Sequence, residues 1–356
     1  MKRLHWFFKV WILFIPLILL WFGITTILPK LLPTKLVTGK IHGLIFQNQI
    51  WSGTVYITGD LITLPSVQID IKAGSKIFIY KKGDKNNFDL IPWHLKNGIN
   101  TGSEYRGIQT GEPFWDEKEK IQVYISNLRA LGFSDRQIII TSFPEEGSPY
   151  DVNLIKIGAG ELSNIKFSNY RRLEVGQNVK LTQNSFENSG DCAICIADGS
   201  PMILENTFKK GKRNYIEIKN GESLIKSNDF LEGESDGILI VDGGNNYVRI
   251  LNNTFEIPSK KAIKILSDSY IEISSNSLML GDIELPCKNK AKIFNNLIKV
   301  KILFKNVGNC VGEYEIGGNY WEIQDPKSIL DARISGTSDR FKVKIPKILN
   351  FPPKGM

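Results

Sequence analysis

A chain of 356 residues can fill two ordinary domains or one long one, and its 42% hydrophobic content supports a continuous core, which excludes a largely disordered protein. The net charge of +8 gathers at one end: residues 1–40 carry six lysines and arginines and no acid, leaving +2 over residues 41–356. Composition therefore offers no basic face for nucleic acid, and four cysteines are too few for a disulfide scaffold.

The first element is VWILFIPLILLWFGITTIL, residues 10–28, nineteen residues without a charge between Lys9 and Lys30. That is about the length needed to cross the ~30 Å hydrocarbon core as a helix. A cleaved signal peptide is the rival reading, but the segment runs on into TILPKLLP and lacks an A-x-A-like site. Trp6, Trp11 and Trp21 add interfacial indoles, and Pro16 is tolerated in a membrane helix. Lys2, Arg3 and Lys9 lie closer to the span than Lys30, Lys35 and Lys40, so the expected topology is a single-pass protein with its N-terminus cytoplasmic and the rest outside.

Residues 81–120 are rich in Gly, Asn and Pro and read as a long insertion, the kind of segment that carries function in a compact fold. Trp93 and Trp115 are candidate sugar-stacking platforms, with His94, Asp116 and Glu117 beside them as ligand-binding candidates; the alternative is that the tryptophans pin the loop. Asp84, Asn86 and Asp89 have the oxygen spacing of a Ca2+ loop but lack its Gly at position 6 and Glu at position 12, so a solvated turn competes with a cation site.

Beyond residue 180 a motif recurs: Asn184-Ser-Phe186, Asn206-Thr-Phe208, Asn228-Asp-Phe230, Asn253-Thr-Phe255, Asn276-Ser-Leu278, Asn295-Asn-Leu297 and Asn319-Tyr-Trp321. Spacings of 22, 22, 25, 23, 19 and 24 residues signal a solenoid. A second column, Ile194-Cys-Ile196, Ile216-Glu-Ile218, Ile238-Leu-Ile240 and Ile263-Lys-Ile265, alternates with period two, and its first three members end in Asp-Gly or Asn-Gly. That is strand and turn chemistry, where helical repeats would show apolar residues at i, i+3, i+4 and i+7. Short strands stacked at ~4.8 Å fit a parallel β-helix. In it the phenylalanines form an internal ladder, while the asparagines bond to one another or hold a bend in the left-handed conformation they tolerate.

These coils, with the closing Gly317-Gly318-Asn319-Tyr320-Trp321 and Asp325-Pro326, resemble the right-handed parallel β-helix repeat proteins of the pectin-lyase-like class. The opening Trp51-Ser52-Gly53 through Ile57-Thr-Gly59-Asp60 and the pair Leu128-Arg-Ala130-Leu-Gly132 and Ile138-Ile139-Ile140-Thr141-Ser142 match as well. The resemblance implies the fold but leaves function open, because the same coil serves lyases, hydrolases, epimerases, adhesins and stalks.

Cys192-x-x-Cys195 has metal or redox spacing, but no second pair or nearby histidine accompanies it, and it reads as two cysteines in a strand. Cys287 and Cys310 lie eight and nine residues before their coil asparagines, which places them on adjacent coils within disulfide reach. The outward column Cys195, Glu217, Leu239, Lys264 is mixed rather than acidic, and Asp198, Asn220 and Asp242 read as a turn ladder, so no catalytic carboxylate set emerges.

The expected organisation is therefore an anchor and linker at residues 1–40, an all-β solenoid of about ten coils at residues 41–345 with the insertion at 81–120, and a tail at 346–356. Three functions follow: an extracytoplasmic module that binds polysaccharide or a cell-surface protein without catalysis, a polysaccharide lyase or glycoside hydrolase, and a spacer. The proline-rich KVKIPKILNFPP is expected to cover the last coil.

Overall fold

The protein, a computed structural model, is described over residues 15–79, 121–142, 152–241, 246–266, 269–288, 290–305 and 310–353. Among these, twenty-five strands join in one sheet, and every pairing between its strands is parallel. Three columns of strands wind around one interior because each coil bends twice between short alternating segments, so the chain returns one strand spacing further along the axis.

On the first face the buried residue of each coil stacks on its predecessor in register: Val55, Ile77, Ile140, Phe167, Phe186, Phe208, Phe230, Phe255, Leu278, Ile298 and Trp321. The five phenylalanine rings stack with centroids 5.2, 5.0, 4.9 and 4.6 Å apart, each fully buried. The second face stacks Ile194, Ile216, Ile238, Ile263 and Ile283 behind them, continuing through Ile302 and Ile334. The third face includes the strands Val179–Thr182, Met202–Leu204, Gly221–Lys226, Asn246–Leu251, Tyr270–Ser274 and Lys290–Phe294. Successive coils stack tightly where it begins: Gly221 has φ +118°, and a Cβ there would meet the carbonyl oxygen of Gly199, its counterpart one coil earlier, at 2.0 Å.

Two details of the repeat differ from the sequence reading. The sixth asparagine of the column is Asn296, not Asn295, so its interior residue is Ile298 rather than Leu297. Asn295 instead takes the left-handed conformation, as do Gln183, Glu205, Ser227, Asn252, Ser275 and Gly318, each immediately before a column asparagine. The left-handed bend thus falls one residue earlier than expected, on residues of mixed type. The column asparagines themselves turn inward and are 0–2% exposed. From Asn184 to Asn296 each side-chain amide donates to the next asparagine's Oδ1 at 2.9–3.0 Å, and the same Oδ1 also accepts the backbone N–H of the preceding asparagine. The second amide proton goes to a backbone carbonyl, from Leu162 for Asn184 to Ile293 for Asn319. The column thus satisfies its buried polar groups internally, the condition for carrying them inside a core.

The ends are closed differently. Pro326–Arg333 forms a helix whose N-cap, the Asp325 carboxylate, accepts the Ser328 backbone N–H at 2.8 Å. The strand Phe341–Lys344 pairs with Gly312–Glu315, and Asn319 bridges to Ile348, so the tail lies on the last coil with Lys342 and Lys344 exposed on its edge. At the other end residues 15–31 are helical, with a π turn at Gly23–Ile27, and the first strand opens at Lys35. Thr25 and Pro29 are buried and the Ser66 hydroxyl donates to the Thr25 carbonyl, whereas Ile15, Leu17, Ile18, Leu19, Leu20, Phe22 and Leu31 are exposed. No helix of the described residues is long and apolar enough to cross a membrane, and the expected span of residues 10–28 begins outside them.

Candidate functional site

Trp93, His94, Trp115, Asp116 and Glu117, and the cation candidates Asp84, Asn86 and Asp89, lie outside the described residues. Among the described residues no group of three or more His, Cys, Asp or Glu side chains is arranged to hold a metal ion. Of the turn ladder, Asn220 donates to the Asp198 carboxylate at 3.1 Å, while Asp242 lies outside the described residues.

The third face carries an aromatic pair. Tyr247 and Tyr270 are in register on adjacent coils and stack with centroids 5.2 Å apart and planes 7° from parallel. The Lys292 ammonium lies 5.4 Å from the Tyr270 centroid, and its hydrogen bond and electrostatic attraction to that tyrosine hold its pKa above the ordinary lysine value. Tyr247 is 42% exposed, with exposed Glu222 in register on the preceding coil and exposed Arg249 two residues on. A half-open ring beside a carboxylate and a guanidinium offers an apolar surface and hydrogen-bonding groups together, the pairing that polyhydroxylated ligands use. This pair escaped the sequence reading because neither tyrosine belongs to the repeating columns; their coincidence in register was the missing signal.

Two other phenols, Tyr170 and Tyr215, are structural. Tyr170 donates to the Ala193 carbonyl at 3.0 Å and burial pushes its pKa well up, while Tyr215 donates to the Leu231 and Glu232 carbonyls and burial pushes its pKa up to about 12.

The second face runs outward as Lys156, Glu174, Cys195, Glu217, Leu239, Lys264, Glu284 and Leu303. The mixed column expected between Cys195 and Lys264 is therefore present in register. Glu174 pairs with Lys156. At its edge the strand Ser185–Ile196 shifts register between Ser189 and Cys192 and again between Cys192 and Cys195. Three extended residues would span roughly 10 Å; here the Cys192 and Cys195 α-carbons are 5.7 Å apart and the two are joined by a disulfide. They do lie in a strand, as read, but the bulge makes them a pair. Cys287 and Cys310 form a second disulfide, with α-carbons 6.2 Å apart.

Parallel coils, internal side-chain ladders and an asparagine column together define the architecture. Residues 150–278 match the family described as right handed beta helix region. No curated protein and no solved structure matches the chain. The matched part of this β-helix contains the asparagine column from Asn184 to Asn276, the whole phenylalanine stack, the Cys192–Cys195 bridge and the Tyr247–Tyr270 pair.

Proposed function

We propose that this chain is a membrane-anchored β-helix that binds carbohydrate outside the cytoplasm without chemistry of its own. The observation that carries the reading is the exposed Tyr247 ring, stacked on Tyr270 and flanked by Glu222 and Arg249 on the third sheet face. A stacked ring is already fixed in orientation, so a sugar's apolar face can pack on it at little cost in side-chain entropy, while the flanking charges meet its hydroxyls. Support for the anchor comes from residues 10–28, uncharged throughout, and from the apolar side chains that residues 15–31 turn outward.

The test is an oligosaccharide array probed with the detergent-solubilised full chain and read for both binding and cleavage. Binding that Tyr247→Ala abolishes, without cleavage, is the expected result. Cleavage would make the chain a lyase or hydrolase, and neither binding nor cleavage would leave a spacer. Alkaline carbonate extraction of native membranes checks the anchor separately: release of the chain into the supernatant would overturn it.

A further inference from the structure

The outward pairs along the edge of the second face follow one geometry. Positions Cys192, Asn214 and Asp236 are in register on successive coils, and so are Cys195, Glu217 and Leu239. The Asn214 amide donates to the Glu217 carboxylate at 3.0 Å, so in this coil the side chains at the two positions meet across the bulge. One coil earlier the same two positions hold the cysteines. The register below them supplies Arg172 opposite Cys192 and Glu174 opposite Cys195.

Arg172 is the anomaly of this edge. Its exposure is 8%, yet its Nε has no hydrogen-bond partner. A buried guanidinium N–H without an acceptor is costly, so this edge calls for an acceptor at Arg172, which a water or an anion can supply. Its neighbours are already engaged: Glu174 pairs with Lys156, and Asp191 accepts from Arg171 Nε at 2.7 Å. The group opposite Arg172 in register that can become an anion is the Cys192 sulfur. Cys195 has the reverse surroundings, with the carboxylates of Glu174 below and Glu217 above.

We propose that Cys192 and Cys195 form a thiol–disulfide exchange site, in which Arg172 holds the Cys192 thiolate and the exchanging partner is an external dithiol. The incoming thiolate attacks Cys192 Sγ, the bond between the two sulfurs breaks, and its electron pair passes to Cys195, which takes up a proton. The second thiol of the dithiol, giving up its proton to solvent, then attacks the mixed disulfide at its own sulfur, closes its own bridge and expels Cys192 as a thiolate. The dithiol loses two electrons and the protein's bridge gains them. The charge pattern assigns the order. Arg172 stabilises the thiolate at Cys192, while the Glu217 carboxylate in register above Cys195 disfavours a thiolate there, the Glu174 charge being met by Lys156, so Cys192 is the nucleophile and Cys195 the resolving thiol. At 1% and 3% exposure the two cysteines are closed off from solvent, so the dithiol reaches Cys192 only when this edge of the coil opens; in the closed state the charge pairing sits in a low dielectric, where it is stronger than at the surface.

The experiment uses the full chain and dithiothreitol as the probe, with Cys287–Cys310 as an internal reference. After graded reduction, trapped thiols are assigned by peptide mass spectrometry, and the reduced protein is alkylated with iodoacetamide across a pH series. The expected result is that Cys192–Cys195 opens at a lower dithiothreitol concentration than Cys287–Cys310, and that Cys192 alkylates about tenfold faster than Cys195 near about pH 6.5. Arg172→Gln should remove that tenfold advantage and Arg172→Lys should keep most of it. Equal pH profiles for the two thiols, an unchanged profile in Arg172→Gln, or a Cys192–Cys195 bridge that resists reduction after Cys287–Cys310 has opened would each overturn the proposal. If Arg172→Gln does not fold, the ratio of the two cysteines in the unsubstituted chain decides.

Discussion

Replacing Asn228 by Ala tests what the asparagine column contributes. Asn228 is fully buried. Its Oδ1 accepts from the Asn206 backbone N–H at 2.9 Å and from Asn206 Nδ2 at 3.0 Å. Its Nδ2 donates to the carbonyls of Ile203 at 2.9 Å and Lys226 at 3.0 Å and to Asn253 Oδ1 at 2.9 Å. Some of those partners keep another bond: Asn206 Nδ2 still reaches the Leu181 carbonyl, and Asn253 Oδ1 still accepts the backbone N–H of residue 228. The Asn206 backbone N–H loses its partner, whereas the Ile203 carbonyl stays in the parallel ladder that pairs Ile203 with Ile225. At about 1–3 kcal/mol for a buried group left unsatisfied, the loss is about 1–3 kcal/mol. Asn220→Ala, which removes an exposed side-chain bond to Asp198, should stay within about 0.5 kcal/mol. Urea denaturation followed by circular dichroism measures both, and amide hydrogen exchange should locate the Asn228→Ala loss in the coils on either side. A change below about 1 kcal/mol for Asn228→Ala would show that water or relaxation replaces the column's bonds and would refute the reasoning.

Phe230 sits between Phe208 and Phe255 with no exposure, so Phe230→Ala should cost about 3–5 kcal/mol and Phe230→Leu considerably less, measured by the same denaturation. Cys287→Ser opens a bridge with a sequence separation of 23, and the chain-entropy estimate is a loss of about 3 kcal/mol under oxidising conditions and none once the wild type is reduced. Burial alone would raise the pKa of the Glu187 carboxyl, but hydrogen bonds and charge from Lys166, Lys210 and Lys209 outweigh it and leave the pKa below the usual carboxylate range. A depressed folded-state value contributes stability above the unfolded-state pKa and loses it as pH falls through the folded one. Thermal melts should therefore decline below about pH 4 from this contribution, and Glu187→Gln should flatten that part of the profile while lowering stability at pH 7. An identical acid limb in the variant would count against it.

The interior was legible along the chain. Phe186, Phe208, Phe230 and Phe255 repeat because a coil that stacks on its neighbour must present the same volume at the same place, and so were Ile194, Ile216, Ile238 and Ile263. The register was misread at one coil, where Asn295 and Asn296 stand together and only the hydrogen-bond column distinguishes them. The role of the column stood between two alternatives along the chain, since a left-handed bend and an inward amide ladder both favour asparagine, and the hydrogen bonds and backbone angles decide for the ladder.

Function was far less legible, because outward residues answer to neighbours one coil away rather than to a period. Tyr247 and Tyr270 are 23 residues apart and share no motif with the rest of the chain; the winding sets them face to face. Cys192 and Cys195 carried redox spacing in the sequence, but a bulge had to turn both sulfurs together, and the next coil down had to set Arg172 and Glu174 opposite them. The sequence by itself determined the solenoid, its strand chemistry and its core, since interior packing imposes one repeated volume on every coil. The tertiary structure alone decided which surface groups became neighbours, since turns of unequal length change the register between coils while leaving the interior ladder intact.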